Sequence, residues 1–269
     1  MKPLAEMTPA QAAAVRYVLM DIDDTLTTGG KLPAAAYGAL WDLRHAGLAL
    51  IPVTGRPAGW CDLIAREWPV DGVVGENGAL AFWEEPGSGA GGNLKEEFHP
   101  NAVRNDHPAL GRIRERALAE APGLRVARDQ FSRLFDLALD FAEEEPVLPL
   151  TAAERVRDIA LEEGARAKIS SIHVNVWMGD YDKLSMAERF LCRLGWRGDP
   201  GEALFAGDSP NDEPMFARFP LACAVANINR YGGLIRHWPA FAASGEGGQG
   251  FAEIASVLLE KRPLEKRRA

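Results

Sequence analysis

Short apolar runs alternate along the chain with segments of helical period, a pattern that predicts an α/β fold on a mainly parallel sheet. Arg16–Met20 (RYVLM) reads as a buried strand that stops at the acidic DIDD of Asp21–Asp24. Helical spacing over Pro33–Ala46 ends at Gly47, which is placed to close the helix in a left-handed turn. Leu48–Val53 is a second strand, ended by Thr54-Gly55-Arg56-Pro57. Trp60–Trp68 reads as a helix, and Gly72–Val74 as a short strand running into Gly75-Glu76-Asn77-Gly78. Much later the same texture resumes. Lys183–Leu194 is a helix ended by Gly195, Ala203–Ala206 a strand ended by Gly207-Asp208, Leu221–Val225 a strand, and Phe251–Leu259 a last helix before the basic tail Glu260–Ala269.

Between these halves the pattern changes. Pro86–Asn93 (PGSGAGGN) has the glycine and serine content of a flexible linker. Its GxGxxG match at Gly87, Gly89 and Gly92 is not a dinucleotide loop, because no helix follows it. Helical patterns at Ala109–Glu120 and Ala152–Glu163 end near Gly123 and Gly164. Phe131–Phe141 and Lys168–Met178 alternate at period two, as half-exposed strands of an antiparallel sheet do. In the second, Ile172, Val174, Val176 and Met178 share one face and His173, Asn175 and Trp177 the other. The expected organisation is a Rossmann-like core from residues 1–84 and 179–269, split by an α+β unit at 85–178.

Composition narrows the function classes. With 47% apolar and 25% charged residues, 269 residues suffice for a soluble globular protein with a sizeable core. A net charge of −8 disfavours nucleic acid as a partner, though a local lysine or metal can reverse the field inside a cleft. No run approaches the roughly 18 apolar residues of a membrane span. Cys61, Cys192 and Cys223 are scattered, and Met1–Met20 lacks the form of a signal peptide, so a cytoplasmic home is expected.

Three predicted core strands end in polar residues: Asp21 and Asp23, then Thr54, then Asp208 and Asp212. In open α/β sheets ligands bind outside the carboxyl ends of the strands, so these distant residues are expected to converge. Carboxylates gathered there repel unless a cation holds them, and hard oxygen ligands favour Mg²⁺, which commonly bridges to a substrate phosphate. A carboxylate attacking phosphorus needs its charge screened, an acid to protonate the leaving alkoxide, and fixed donors for the phosphoryl oxygens. Asp21, Asp23, Thr54, Lys183 and Asp208 are candidates for these roles.

DIDDTLTTGG at Asp21–Gly30, the Thr54-Gly55-Arg56 turn, Lys183 and GDSPND at Gly207–Asp212 resemble, in order and spacing, the four motifs of the haloacid dehalogenase (HAD) superfamily. The insertion is similar to the C2-type cap. Gly75–Ala79 (GENGA) resembles the subgroup of Cof-like and sugar-phosphate phosphatases, including the sucrose- and trehalose-phosphate types. Asp24 stands where that subgroup often has glycine. The resemblance implies Asp21 as nucleophile and magnesium ligand, and Asp23 as acid and base whose carbonyl also binds the metal. It implies Thr54 on the phosphoryl group, Lys183 neutralising Asp21 and the phosphate, and Asp208 as a ligand. Asp212 would orient the metal shell or Lys183, with Asn211 helping. The implied activity is hydrolysis of a small phosphorylated metabolite, a sugar phosphate by subgroup. A phosphomutase and a non-catalytic phosphometabolite-binding module are the alternatives.

Other positions have two readings. Asn77 either turns the chain with Gly78 or faces substrate, and Arg56 is either a surface residue or a phosphate neighbour beside Gly55. His173, Asn175 and Arg133 either lie on an exposed sheet face or contact substrate. Trp41 and Trp68 read as core, Trp177 as the one candidate sugar platform, and Glu143–Glu145 as a solvated turn.

Overall fold

The computed structural model describes residues 1–87 and 92–263. The first half runs β1 (Lys2–Pro3), α1 (Pro9–Ala14), β2 (Tyr17–Met20), α2 (Ala34–His45), β3 (Ala49–Pro52), α3 (Ala58–Glu67) and β4 (Val73–Gly75). The middle adds β5 (Leu80–Glu85), β6 (Asn93–Phe98), α4 (Pro108–Glu120), β7 (Arg125–Val126), β8 (Asp136–Asp140), α5 (Leu150–Glu162), β9 (Arg166–Ile169) and β10 (His173–Trp177). The chain closes with α6 (Lys183–Arg193), β11 (Ala203–Gly207), α7 (Glu213–Arg218), β12 (Leu221–Ala224), β13 (Phe241–Ala242) and α8 (Gly247–Lys261).

The main sheet has six strands in the order β1-β13-β12-β11-β2-β3, all parallel. Its central strands are apolar without interruption because helices cover both faces. Within β2, Val18 and Met20 pack into one apolar cluster and Tyr17 and Leu19 into the other. Leu204 and Ala206 of β11 likewise face the first, and Ala203 and Phe205 the second. From β2 the chain passes through α2 to β3 on one side, and it later returns to β11 on the other. Strand order therefore switches direction at β2, which opens a crevice at its carboxyl end.

A second sheet, β7-β8-β10-β9, is antiparallel. Leu137 and Leu139 of β8 and Val174 and Val176 of β10 pack with α4 and α5 in a cluster of their own. The other face of this sheet is roofed rather than solvated, and His173, Asn175 and Trp177 are all buried. Trp177 and Phe135 join the first core cluster, so the expected exposed face is in fact an internal contact. The period-two segment Lys168–Met178 is a hairpin, since Arg166–Ile169 and His173–Trp177 are separate strands around a turn at 170–172. Phe131–Phe135 is not a strand either; Arg128–Ser132 forms a short 3-10 helix and Phe131 is 90% exposed.

A third sheet, β4-β5-β6, is antiparallel and continues the edge of the main one through the Val53–Val74 bridge. Asn93, read as the end of a linker, opens β6; residues 88–91 of that linker and 264–269 of the tail lie outside the described residues. Trp41, read as core, is 42% exposed against His45 on α2, while Trp68 is half-buried.

Candidate active site

Asp21 follows β2, Thr54 follows β3 and Asp208 follows β11, so the register of adjacent parallel strands sets the three beside one another. Asp21 is anchored through its N–H to the Ala206 carbonyl at 2.9 Å. Asp212 closes the short helix Pro210–Asp212, where its Oδ2 accepts the N–H groups of Asp208 (3.0 Å) and Ser209 (3.3 Å). Carboxylate oxygens of Asp21, Asp208 and Asp212 lie within 4.8 Å of one another, all buried. Asn211 is buried beside them and accepts the Ser209 hydroxyl at 2.8 Å.

Lys183 enters this cluster from the first turn of α6. Asp182 caps that helix reciprocally with Ser185, which fixes where the lysine begins. Its Nζ donates to Asp21 Oδ1 and Asp212 Oδ1, both at 2.7 Å. Burial disfavours the ammonium, but the Asp21 and Asp212 carboxylates outweigh it and raise the lysine above its ordinary range. Burial likewise pushes Asp21 up to about 8 against the pull of Lys183, with Asp212 and Asp23 adding to the rise. Burial, then Asp21 and Asp212, hold Asp208 well above the usual carboxylate range. One lysine thus leaves three buried carboxylates underneutralised, as suits a divalent cation with oxygen ligands.

Two residues not singled out in the sequence, Thr25 within the first motif and Asn227 outside all four, complete the floor. Thr25 donates its hydroxyl to Asp208 Oδ1 at 3.2 Å, and Asn227 donates to Asp208 Oδ2 at 2.9 Å. Asn227 lies just past the carboxyl end of β12, so the logic that flagged the other strand ends extends to it.

Asp23 faces a different neighbour. The Arg56 guanidinium grips it in a fork, with Nε at 3.0 Å from Oδ2 and Nη2 at 2.8 Å from Oδ1. Arg56 also donates through Nη1 to Glu143 at 2.9 Å, and its Cζ lies 4.3 Å from the Trp60 ring centroid. It is buried, not a surface residue. Glu143, read as part of a solvated turn, instead receives both Arg56 and His173, whose Nε2 is 2.8 Å away. The His173 contact, reinforced by Arg56 and opposed by burial, brings the Glu143 carboxyl down to about 2.

Gly55 sits where a side chain would be tight: a Cβ there would lie 3.2 Å from both Asn77 Nδ2 and Asn175 Oδ1, so those amides would have to give by a few tenths of an ångström. Asn77 has a φ of 54° and is buried, with neither amide atom hydrogen-bonded among the described residues. Asn175 donates to Asp136 at 2.8 Å. Arg133 is a strut between units: it donates to the Gly55 carbonyl at 2.8 Å, to Asp136 at 3.0 Å and to Asp129 at 3.0 Å. Thr54 Oγ1 accepts the Arg56 N–H at 3.1 Å. Trp177 is enclosed, donating to the Tyr181 carbonyl at 3.2 Å and stacking on that ring, so it offers no open platform.

No family model matches the sequence, and no curated protein matches it. Solved structures do match. The Thermoplasma acidophilum 0175 protein superposes with a TM-score of 0.68 at 19% identity, over 91% of this chain and 98% of that one. A Bacteroides thetaiotaomicron phosphatase of the HAD superfamily gives 0.60 at 17% identity, over 90% and 94%. The sucrose-phosphatase of Synechocystis, solved with sucrose and phosphate, gives 0.59 at 17% identity, over 90% and 97%. The fold is that of the HAD phosphatases. Within the HAD fold, the parallel α/β core and the additional antiparallel sheets agree with the architecture expected from the sequence.

Proposed function

We propose that this protein is a HAD-superfamily phosphatase that hydrolyses a small phosphorylated metabolite, a sugar phosphate, through an aspartyl-phosphate on Asp21. The observation that carries this reading is the buried cluster of Asp21, Asp208 and Asp212 at the carboxyl end of β2, with the Lys183 ammonium bonded to Asp21 and Asp212. The donor set fits Mg²⁺, with Asp21 and Asp208 as side-chain ligands, the Asp23 carbonyl as a further ligand and Asp212 orienting the shell. Bound there, the ion would neutralise developing charge on the phosphoryl oxygens.

The residues divide the remaining work. Lys183 screens the approach of one anion to another, while the Thr54 hydroxyl and nearby N–H groups hold the phosphoryl oxygens. Asp21 Oδ attacks phosphorus as the bond to the leaving oxygen breaks, and the Asp23 carboxyl protonates that oxygen. Asp23 then takes a proton from water, whose oxygen attacks phosphorus and breaks the bond to Asp21. Residues 85–178 act as the cap that encloses substrate and excludes water. The free thiols of Cys61, Cys192 and Cys223 accord with a cytoplasmic home.

Asp21→Asn and Asp23→Asn separate the roles. Nitrophenolate leaves without protonation, so Asp23→Asn should still phosphorylate Asp21 from nitrophenyl phosphate and then stall, lacking a base for water. Rapid acid quench and intact-protein mass spectrometry should find a phosphate adduct on the Asp23 variant and none on the Asp21 variant. An adduct on Asp21→Asn, or none on a folded Asp23→Asn that still turns over, overturns the assignment.

A further inference from the structure

A cavity of about 410 Å³ opens between the core and the antiparallel sheet; Asp23, Asp24 and Arg56 line it from one side, and Glu143, Ser171 and Ile172 from the other. Neither Asp21 nor Asp208 lines it. On the phosphatase reading, Asp23 stands on the far side of phosphorus from the nucleophile, so the space next to it is the leaving-group side. Its volume suits a small metabolite.

Among the described residues the wall is rich in hydrogen-bond acceptors and short of available cations. Asp23, Asp24 and Glu143 bring carboxylates to it. Both guanidinium groups on the wall already carry carboxylate partners, Arg56 with Asp23 and Glu143, and Arg230 with Glu246 at 2.7 Å. An anionic leaving group would meet like charge there, and an apolar one would strand these acceptors without donors.

Glu143 is the best placed of the three carboxylates to read a ligand. Its N–H is pinned to Asp140 Oδ1 at 2.8 Å, which fixes the backbone. Arg56 occupies Oε1 at 2.9 Å and His173 occupies Oε2 at 2.8 Å. An ionised carboxylate has about four acceptor sites, so roughly two stay free, and the side chain remains 31% exposed. His173 is itself 3% exposed and lies behind Glu143, so its part is to aim the carboxylate.

We propose that Glu143 is a specificity-determining residue of this site: its carboxylate, aimed by His173 and Arg56, accepts hydrogen bonds from the hydroxyls of an uncharged polyol leaving group. This rests on the phosphatase reading above and names what that phosphatase selects.

The test compares kcat/KM with magnesium present on glucose phosphate, nitrophenyl phosphate and phosphoglycolate, for the natural protein, Glu143→Gln and Glu143→Asp. Because Glu143 also touches Arg56, some loss on every substrate is expected, and the informative quantity is a ratio. Preference for glucose phosphate over nitrophenyl phosphate should fall at least about tenfold in Glu143→Gln, the loss of one charged hydrogen bond. Glu143→Asp keeps the charge but withdraws it, and should shift the ratio the same way should the Gln variant not fold. Equal losses on both substrates overturn the proposal, since Glu143 would then act only through Arg56 on Asp23. A natural protein that prefers phosphoglycolate to glucose phosphate overturns it as well. A natural protein inactive on every phosphate ester tested, with magnesium, sinks the phosphatase reading itself, and this subsite falls with it.

Discussion

Glu76 lies on the turn after β4, and its carboxylate is out of reach of water at 0% exposure. It accepts the backbone N–H of Ala58 at 3.0 Å on its own side and those of Leu134 (2.9 Å) and Phe135 (2.7 Å) from the segment leading into β8. One side chain thus ties the inserted unit to the turn beside Thr54, although the residue itself is held at a φ of 45°, a sparsely allowed conformation for a non-glycine. Burial pushes its carboxyl up to about 7, Asp136 adds to the rise, and the Leu134 and Phe135 donors pull against it. The folded protein therefore holds a proton that the unfolded chain releases near 4.5. Stability from this group is complete below that value and is lost as pH rises toward about 7. Urea midpoints should accordingly fall between about pH 5 and 7.5 more steeply in the natural protein than in Glu76→Gln, which has nothing to titrate. The Gln variant should also be weaker by about 1–3 kcal/mol at the acid end, because its amide nitrogen faces backbone donors. Parallel pH profiles for the two proteins would contradict the assignment.

The element that delivers Lys183 is positioned by a glycine on another turn. A Cβ on Gly78 would lie 2.0 Å from the Asp182 carbonyl oxygen, and its φ is +103°. The start of α6 therefore rests directly on the turn after β4, and Gly78→Ala has to push that helix end away. Since a misplacement of about 1 Å can cost about 100-fold, kcat on nitrophenyl phosphate should fall by that order. Gly195→Ala at the other end of α6, where φ is +91° and the space is open, should cost stability and leave kcat within about twofold. Equal kcat for the two variants would mean that Gly78 does not set the lysine. Local signals made much of this architecture legible: apolar runs ending in carboxylates marked β2 and β11, Gly47 takes the left-handed turn its place predicted, and Gly123, Gly164 and Gly195, read near helix ends, also have positive φ. The β9–β10 hairpin was illegible because its Ser170-Ser171-Ile172 turn lacks glycine, proline and asparagine, and only the paired serines interrupt the period-two pattern. Asp21 and Asp208 could be brought together from sequence because each ends a readable strand, and the resemblance of the four motifs added Lys183. Glu143 and Glu76 could not, since their partners Arg56 and Phe135 lie 87 and 59 residues away and nothing local announces them.

At the scale of the whole molecule the inserted unit is not an independent passenger. Phe135 and Trp177 pack into the same apolar cluster as β2 and α8, and Arg133 reaches across to the Gly55 carbonyl. Unfolding of either part should therefore expose the core of the other, and a ligand bound at Asp21 should stabilise the chain as one unit. The carboxylates of Asp21, Asp208 and Asp212 lie together, with one ammonium bonded to Asp21 and Asp212, in a protein whose net charge is already −8. A divalent cation binding only the native cluster stabilises by RT ln(1 + [L]/Kd), about 2.7 kcal/mol at a hundredfold excess over Kd. For a chain of this size each kcal/mol moves Tm by roughly 2–4 °C, so a shift of about 5–10 °C is expected from magnesium chloride. Calorimetry against sodium chloride of equal ionic strength separates site binding from screening of the surface charge, because screening does not distinguish the salts to this extent. Asp208→Asn keeps the fold's shape at that position but removes a ligand and a charge, and should lose most of the magnesium-specific shift. The whole transition should move together in near-UV and far-UV signals, reflecting the shared cluster. A shift matched by sodium chloride, or one retained in full by Asp208→Asn, would show that the cation is not held at this cluster, whatever the enzyme's activity proves to be.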